Sequence, residues 1–299
     1  MDARQPSPHG LDRREFLTAG VAAAGLAALP GIVEAADKTK QGGDPFGGFN
    51  VGIQSYTYRT LKQPEQVLVQ VQKLGLKQIE WTRDHIPLNS TDAQLKALAN
   101  LCQQYQVTPV GYGVNNFSKD NGANRRLFEI GKALGLRYLS ADPNPDSFDS
   151  LDKLVAEFNI AIAIHPHGPV GKQLHRWADP ETILAAVKNH NRLIGTCLDT
   201  GHLIRSARPP FERKLDPAAE IRRMGDRNYA IHLKDNDNKR DVNVVFGRGS
   251  LDVPGVLRAL REVKFQGTIA IEYEANPKDP TPDVQACLDV FKESVRKIS

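Results

Sequence analysis

Residues 123–141 read ANRRLFEIGKALGLRYLSA. Ala123–Leu134 carries helical spacing, and Tyr138–Ala141 reads as a short strand. Between them Leu134-Gly135-Leu136 ends the helix, puts glycine at the left-handed cap and starts the next strand with an apolar residue. Leu74-Gly75-Leu76 repeats the device. Outward from these two joints, short β-branched runs alternate with longer amphipathic runs, the pattern of a parallel sheet with crossover helices.

The spacing predicts strands at Asn50–Tyr56, Gln78–Trp81, Thr108–Gly113, Tyr138–Ala141, Ile160–His165, Ile194–Asp199, Tyr229–Lys234 and Thr268–Glu274. Helices are expected at Pro64–Leu74, Asp92–Tyr105, Ala123–Leu134, Ser150–Phe158, Pro180–Asn189, Pro217–Met224, Pro254–Val263 and Pro282–Lys297. Asp179-Pro180, Asp216-Pro217 and Thr281-Pro282 each set a capping side chain before a first-turn proline. Eight such cycles predict an α/β fold, a (β/α)₈ TIM barrel forming one domain over residues 49–299. A doubly wound sheet would want a glycine-rich phosphate turn after the first strand, and Ser55-Tyr56-Thr57-Tyr58 is not one.

Residues 1–35 read as a twin-arginine signal peptide: Arg13-Arg14 precede an apolar stretch from Ala19 to Leu29, and Val33-Glu34-Ala35 forms a small-residue cleavage signal. The apolar stretch is much shorter than the ~20 residues a membrane span needs, so no stable membrane insertion is expected after cleavage. The expected location is the periplasm. Glycine-rich residues 36–48 read as a flexible linker.

Of 299 residues, 40% are hydrophobic and 25% charged, ordinary for a chain that buries a full core. Net charge is +4, and no Lys/Arg run is interleaved with aromatics, so a nucleic-acid partner is not indicated. Cys102, Cys197 and Cys287 are far apart and lie among apolar neighbours, which reads as buried free thiols.

In a barrel of this kind the C-terminal strand ends form the active face. Those ends carry Gln54, Tyr56, Glu80, Trp81, Tyr112, Asp142, His165, His167, Asp199, His202, His232, Lys234, Glu272 and Glu274. His165, Asp199, His232 and Glu272 end the fifth to eighth strands. Neighbouring strands lie about 5 Å apart, so these side chains can converge on one point. Two imidazoles and two carboxylates suit a divalent ion (Mn, Zn, Co, Fe, Ni or Mg) better than Ca. Gly195, Cys197 and Asp199 share a face, as do Ala270 and Glu272, so small residues under the site leave room for a ligand.

Asp199-Thr200-Gly201-His202, His232-Leu233-Lys234-Asp235, Gly247-Arg248-Gly249 and Ile271-Glu272-Tyr273-Glu274, in that order, resemble the xylose isomerase-like TIM-barrel superfamily over nearly the whole mature chain. The resemblance implies sugar isomerase or epimerase chemistry, metal ligands at Asp199, His232 and Glu272, and a substrate-facing His202. Ketose epimerases of that superfamily end the fifth strand in a metal-binding glutamate that also acts as an acid/base. Here His165 stands in that place, which resembles an exported subgroup of 3-keto-glycoside lyases and hydratases.

The chemistry implied is proton abstraction beside a sugar carbonyl, followed by isomerisation, epimerisation, or elimination and hydration. The candidate base is His167, then Glu80 and Glu274; Lys234 is placed to neutralise oxyanion charge. Gln54, Tyr56, His202 and Arg248 are candidate substrate contacts, and Trp81 and Trp177 candidate sugar-stacking faces. Trp177 lies in the Gly168–Ala178 insert with His175 and Arg176, read as a lid. The expected partner is a small carbohydrate, with homo-oligomers common among such barrels. Two other classes are weighed: a repair endonuclease, which the near-neutral charge opposes, and a non-catalytic carbohydrate- or metal-binding barrel.

Overall fold

The computed structural model describes residues 44–299. The expected leader and residues 36–43 of the expected linker lie outside them. The barrel strands are β1 (Asn50–Gln54), β2 (Gln78–Trp81), β3 (Thr108–Phe117), β4 (Tyr138–Pro143), β5 (Ala161–Ile164), β6 (Ile194–Asp199) and β7 (Asn228–Leu233). A hairpin, β8 (Asp235–Asp237) and β9 (Val242–Val244), follows, and β10 (Thr268–Ile271) completes the barrel. Its closed order is β1-β10-β7-β6-β5-β4-β3-β2, with parallel pairing throughout. The fold is the expected single TIM barrel.

The helices are α1 (Pro64–Lys73), α2 (Asp92–Gln104), α3 (Asn121–Leu134), α4 (Phe148–Phe158) and α5 (Pro180–Val187). They continue with α6 (Thr200–Arg205), α7 (Pro217–Met224), α8 (Val253–Glu262) and α9 (Thr281–Ile298). Gly135 ends α3 with φ +67, the left-handed conformation its position demands. Asp179 and Asp216 cap α5 and α7 by accepting the Glu181 and Ala218 N–H groups at 3.0 Å. The third expected cap differs. Thr281 already lies in α9, and its hydroxyl bonds Tyr58 and Gln70 instead.

Three differences bear on the site. First, β5 and β10 stop one residue short of His165 and Glu272. Those two residues still bond the neighbouring strands, His165 N–H to Ala141 O at 2.8 Å and Glu272 N–H to Leu233 O at 3.2 Å. Both therefore remain fixed to the barrel. Second, α6 and the β8–β9 hairpin crown the C-terminal end. Third, the flexible-linker reading fails from Asp44 onward. The Asp44 carboxylate accepts the Phe46 and Gly48 N–H groups, and Phe46 packs edge-on against Phe291 of α9.

Outward-facing Ile53, Ile79, Leu139, Ile162, Leu198, Ile231 and Ile269 are buried against the helices. Inside the barrel Val110, Ala161, Ala163, Cys197 and Ala230 surround the Tyr138 ring. A Cβ at Gly111 would come within 2.4 Å of that ring, so glycine there is a packing requirement. All three cysteines are buried and free. No helix among the described residues is long and apolar enough to cross a membrane.

Candidate metal centre and substrate cavity

β5, β6, β7 and β10 are consecutive around the barrel, and His165, Asp199, His232 and Glu272 project inward from their C-terminal ends. One donor atom from each lies within 4.8 Å of every other. His165 Nε2 is 3.4 Å from Asp199 Oδ2, and His232 Nδ1 is 3.2 Å from Glu272 Oε2 and 3.9 Å from Asp199 Oδ2. All four residues are buried. These same four atoms are sealed from solvent and lack a hydrogen-bond partner. A buried polar atom left unpaired costs roughly 1–3 kcal/mol. Ion pairs with Lys234 and with one another offset part of that cost, and the two-imidazole, two-carboxylate set could hold a divalent cation.

The electrostatics keep the carboxylates ready as anions. Burial alone would raise the pKa of Asp199, but Lys234, His202 and His165 outweigh it and hold Asp199 well below its ordinary value. Glu272 is likewise held low against burial, first by Lys234 and then by His232. Lys234 Nζ stands 3.3 Å from Asp199 Oδ2 and 3.0 Å from Glu272 Oε2, while its hydrogen bond runs to Glu274 Oε1 at 2.5 Å. Burial works to discharge Lys234; Asp199, Glu272 and Glu274 more than reverse this, so it stays a cation.

Above the cluster a cavity of about 490 Å³ opens on the C-terminal face, within the range of small-molecule sites. Gln54, Tyr56, His165, His167, His202, Glu272 and Glu274 line it. Asp199 Oδ1 accepts the His202 N–H at 2.7 Å, which starts α6 and fixes His202 beside the cluster. The His167 and His202 rings stack at 4.1 Å. Burial, then the neighbouring His165, lowers the pKa of His167. Burial also drives His202 well below the ordinary imidazole value. Both rings are therefore neutral near pH 7, and His167 faces the cavity in the form that can accept a proton.

The profile of the xylose isomerase-like TIM barrel matches residues 68–294. The chain belongs to that family. No curated protein matches the sequence. Among solved structures, an uncharacterised protein from Parabacteroides distasonis is similar at 22% identity and TM-score 0.63, over 84% of this chain and 99% of its own. A D-psicose 3-epimerase from Clostridium cellulolyticum, solved with D-tagatose, is similar at 16% identity and TM-score 0.64, over 83% and 99%. A protein from Sinorhizobium meliloti is similar at 17% identity and TM-score 0.66, over 82% and 98%. At these identities the likeness is one of fold.

Several expected site residues of this xylose isomerase-like barrel lie elsewhere. Glu80 is wholly buried; its carboxylate accepts Tyr138 Oη at 2.6 Å and Ser140 Oγ, and lies 2.8 Å from His232 Nε2. It cannot reach a substrate and is no general base. Because Glu80 points inward, Trp81 points outward, where it is fully buried in the core and meets His85 edge-on. Trp177 is buried too, donating its indole N–H to Pro143 O at 2.9 Å and packing edge-on against Phe148. Neither tryptophan offers a face to a sugar. Tyr112 is tied to Ile86 O inside the core.

Arg248 is exposed and does not line the cavity. Its loop wraps the buried Asp235, whose carboxylate accepts the N–H groups of Asn236, Gly247, Gly249, Ser250 and Leu251. The Gly168–Ala178 insert is pinned by His175 to Asp142 and by Arg176 to Asn144. Room under the cluster is taken by Glu80 rather than left for a ligand.

The sequence reading missed Arg83 and Arg205, which line the cavity. Arg205 carries a usable signal. It lies three residues after His202, so one helical turn puts both on the same face. Arg83 follows the second strand end by two residues and had only that placement to mark it.

Proposed function

We propose that this protein is an enzyme that binds one divalent metal ion through His165, Asp199, His232 and Glu272 and removes a proton beside a sugar carbonyl. The observation that carries the reading is the convergence of four buried donor atoms that make no hydrogen bond, on the floor of a cavity of small-molecule size. The ion would supply Lewis-acid polarisation of substrate oxygens, worth several kcal/mol of charge stabilisation.

The chain's own residues supply the rest. His167, neutral and stacked on His202, takes the proton at a face of the cavity that the segment after β5 supplies. Lys234, held cationic by three carboxylates, balances negative charge at the cavity floor. Gln54, Tyr56, His202 and Arg205 surround the substrate space. The D-psicose 3-epimerase among the similar folds supports a keto sugar as the substrate class. Proton exchange into keto sugars in heavy water, on metal-loaded and metal-stripped protein, tests this. Metal binding without exchange would leave a non-catalytic binding barrel.

Elimination or hydration of a 3-keto-glycoside is the favoured outcome of the proton transfer. Its support is His165 in the position where the ketose epimerases carry a second acid/base carboxylate, because a single base suffices for elimination. Release of the aglycone from 3-keto-glucosides is the expected result. Inertness toward them together with turnover of free ketoses would select epimerisation or isomerisation instead. Export by the twin-arginine route belongs to the same reading, since extracellular glycosides are met outside the cytoplasm. Replacing Arg13 and Arg14 by lysine should then retain the protein in the cytoplasm, as fractionation would detect.

A further inference from the structure

Glu80 lines no part of the cavity, yet three side chains converge on its carboxylate inside the barrel. One oxygen, Oε2, accepts Tyr138 Oη at 2.6 Å and lies 2.8 Å from His232 Nε2; the other accepts Ser140 Oγ. Glu80 and His232 are both fully buried. Tyr138 reaches this point only because Gly111 has no Cβ beside its ring. Sequence on three strands, β2, β3 and β4, is thus committed to holding one carboxylate beneath one imidazole.

His232 has two nitrogens with different company. Nε2 faces Glu80, so it is the nitrogen that keeps a proton as donor. Nδ1 has no hydrogen-bond partner and looks toward Asp199 and Glu272. We infer that Glu80 is a positioning residue of the metal centre, fixing His232 in the tautomer and orientation that present Nδ1 to the ion. The inference rests on the metal-site reading above. A separate ion bound by Glu80, Cys197 and His232, which also converge within 4.8 Å, fits less well. Both Glu80 oxygens already accept hydrogen bonds, from Tyr138 Oη and Ser140 Oγ, and are taken.

The test titrates Zn²⁺ and Co²⁺ into the full chain in competition with a chromophoric chelator. Wild type is compared with Glu80→Gln, Glu80→Ala and Ser140→Ala. Carboxylates behind a metal-bound histidine typically govern affinity by about 10–100-fold. Glu80→Gln, which keeps an acceptor but loses the charge, should bind roughly tenfold more weakly, and Glu80→Ala up to about 100-fold. In nitrogen-15 spectra of the Zn-loaded protein, the His232 Nε2–H should be protected from exchange in wild type and unprotected in Glu80→Ala. Ser140→Ala keeps the carboxylate but loosens it; a smaller loss in the same direction is expected, and it serves if the Glu80 variants do not fold. Wild-type affinity in these variants, with one ion bound per wild-type chain, overturns the role of Glu80 alone. A wild-type chain that takes up neither ion overturns the metal centre as well.

Discussion

The two ends of the barrel both open into cavities, about 490 Å³ at the C-terminal end and about 340 Å³ at the N-terminal end, yet only the first has beneath it a side-chain cluster that could hold a metal. At the N-terminal end Arg137, Tyr138, Asn228, Tyr229 and Phe265 form the lining. There Arg227 spends its guanidinium on the Ile194 and Asn191 carbonyls, and the Tyr229 hydroxyl donates to Arg192 O. Among the described residues, the one unpartnered buried polar atom at that end is Asn228 Oδ1. The C-terminal end leaves four titratable side chains short of a partner at a single point. Volume does not distinguish the ends. Unmet hydrogen-bonding capacity gathered at one point does, because each buried polar atom without a hydrogen bond is costly and four of them converge there.

The comparison breaks or sharpens under substitution. The largest effect is expected from Asp199→Ala, which removes a ligand and the cap of α6 together: metal content should fall to background and turnover by more than about 10³-fold, checked by elemental analysis and steady-state kinetics. His167→Ala should retain the ion but lose about 10²–10⁴-fold in proton exchange, which separates base from ligand. Gly111→Ala drives a methyl into the Tyr138 ring beneath the centre and should cost about 1–3 kcal/mol, read in denaturant unfolding. The smallest effect belongs to the opposite end. Tyr229→Phe removes one exposed hydrogen bond and should change stability by less than about 1 kcal/mol, with metal affinity and activity at wild-type levels.

Much of this was legible in the chain itself. Gly75 and Gly135, the Asp-Pro helix starts and period-two strands are local signals, and they delivered the barrel because local preference and fold agree. The four ligand candidates were legible because strand ends in a closed parallel barrel share one rim. Depth was not. Glu80 and Gln54 are register partners at neighbouring strand ends, yet Glu80 turns down toward Tyr138 and His232 while Gln54 lines the cavity. Strand spacing fixes which face a side chain takes, not the level at which its carboxylate finds partners. Trp81 could have been placed outward by alternation from Glu80. Arg248 and Trp177 depended on loop paths and long-range pairing, and α6 and the β8–β9 hairpin are too short to carry a period.

The central claim is most directly tested by anomalous diffraction from crystals of the full chain loaded with Mn²⁺ or Zn²⁺. The account predicts one strong peak per chain, within bonding distance of His165 Nε2, Asp199 Oδ2, His232 Nδ1 and Glu272 Oε2. A peak bonded to other side chains, or none at full loading, would contradict it.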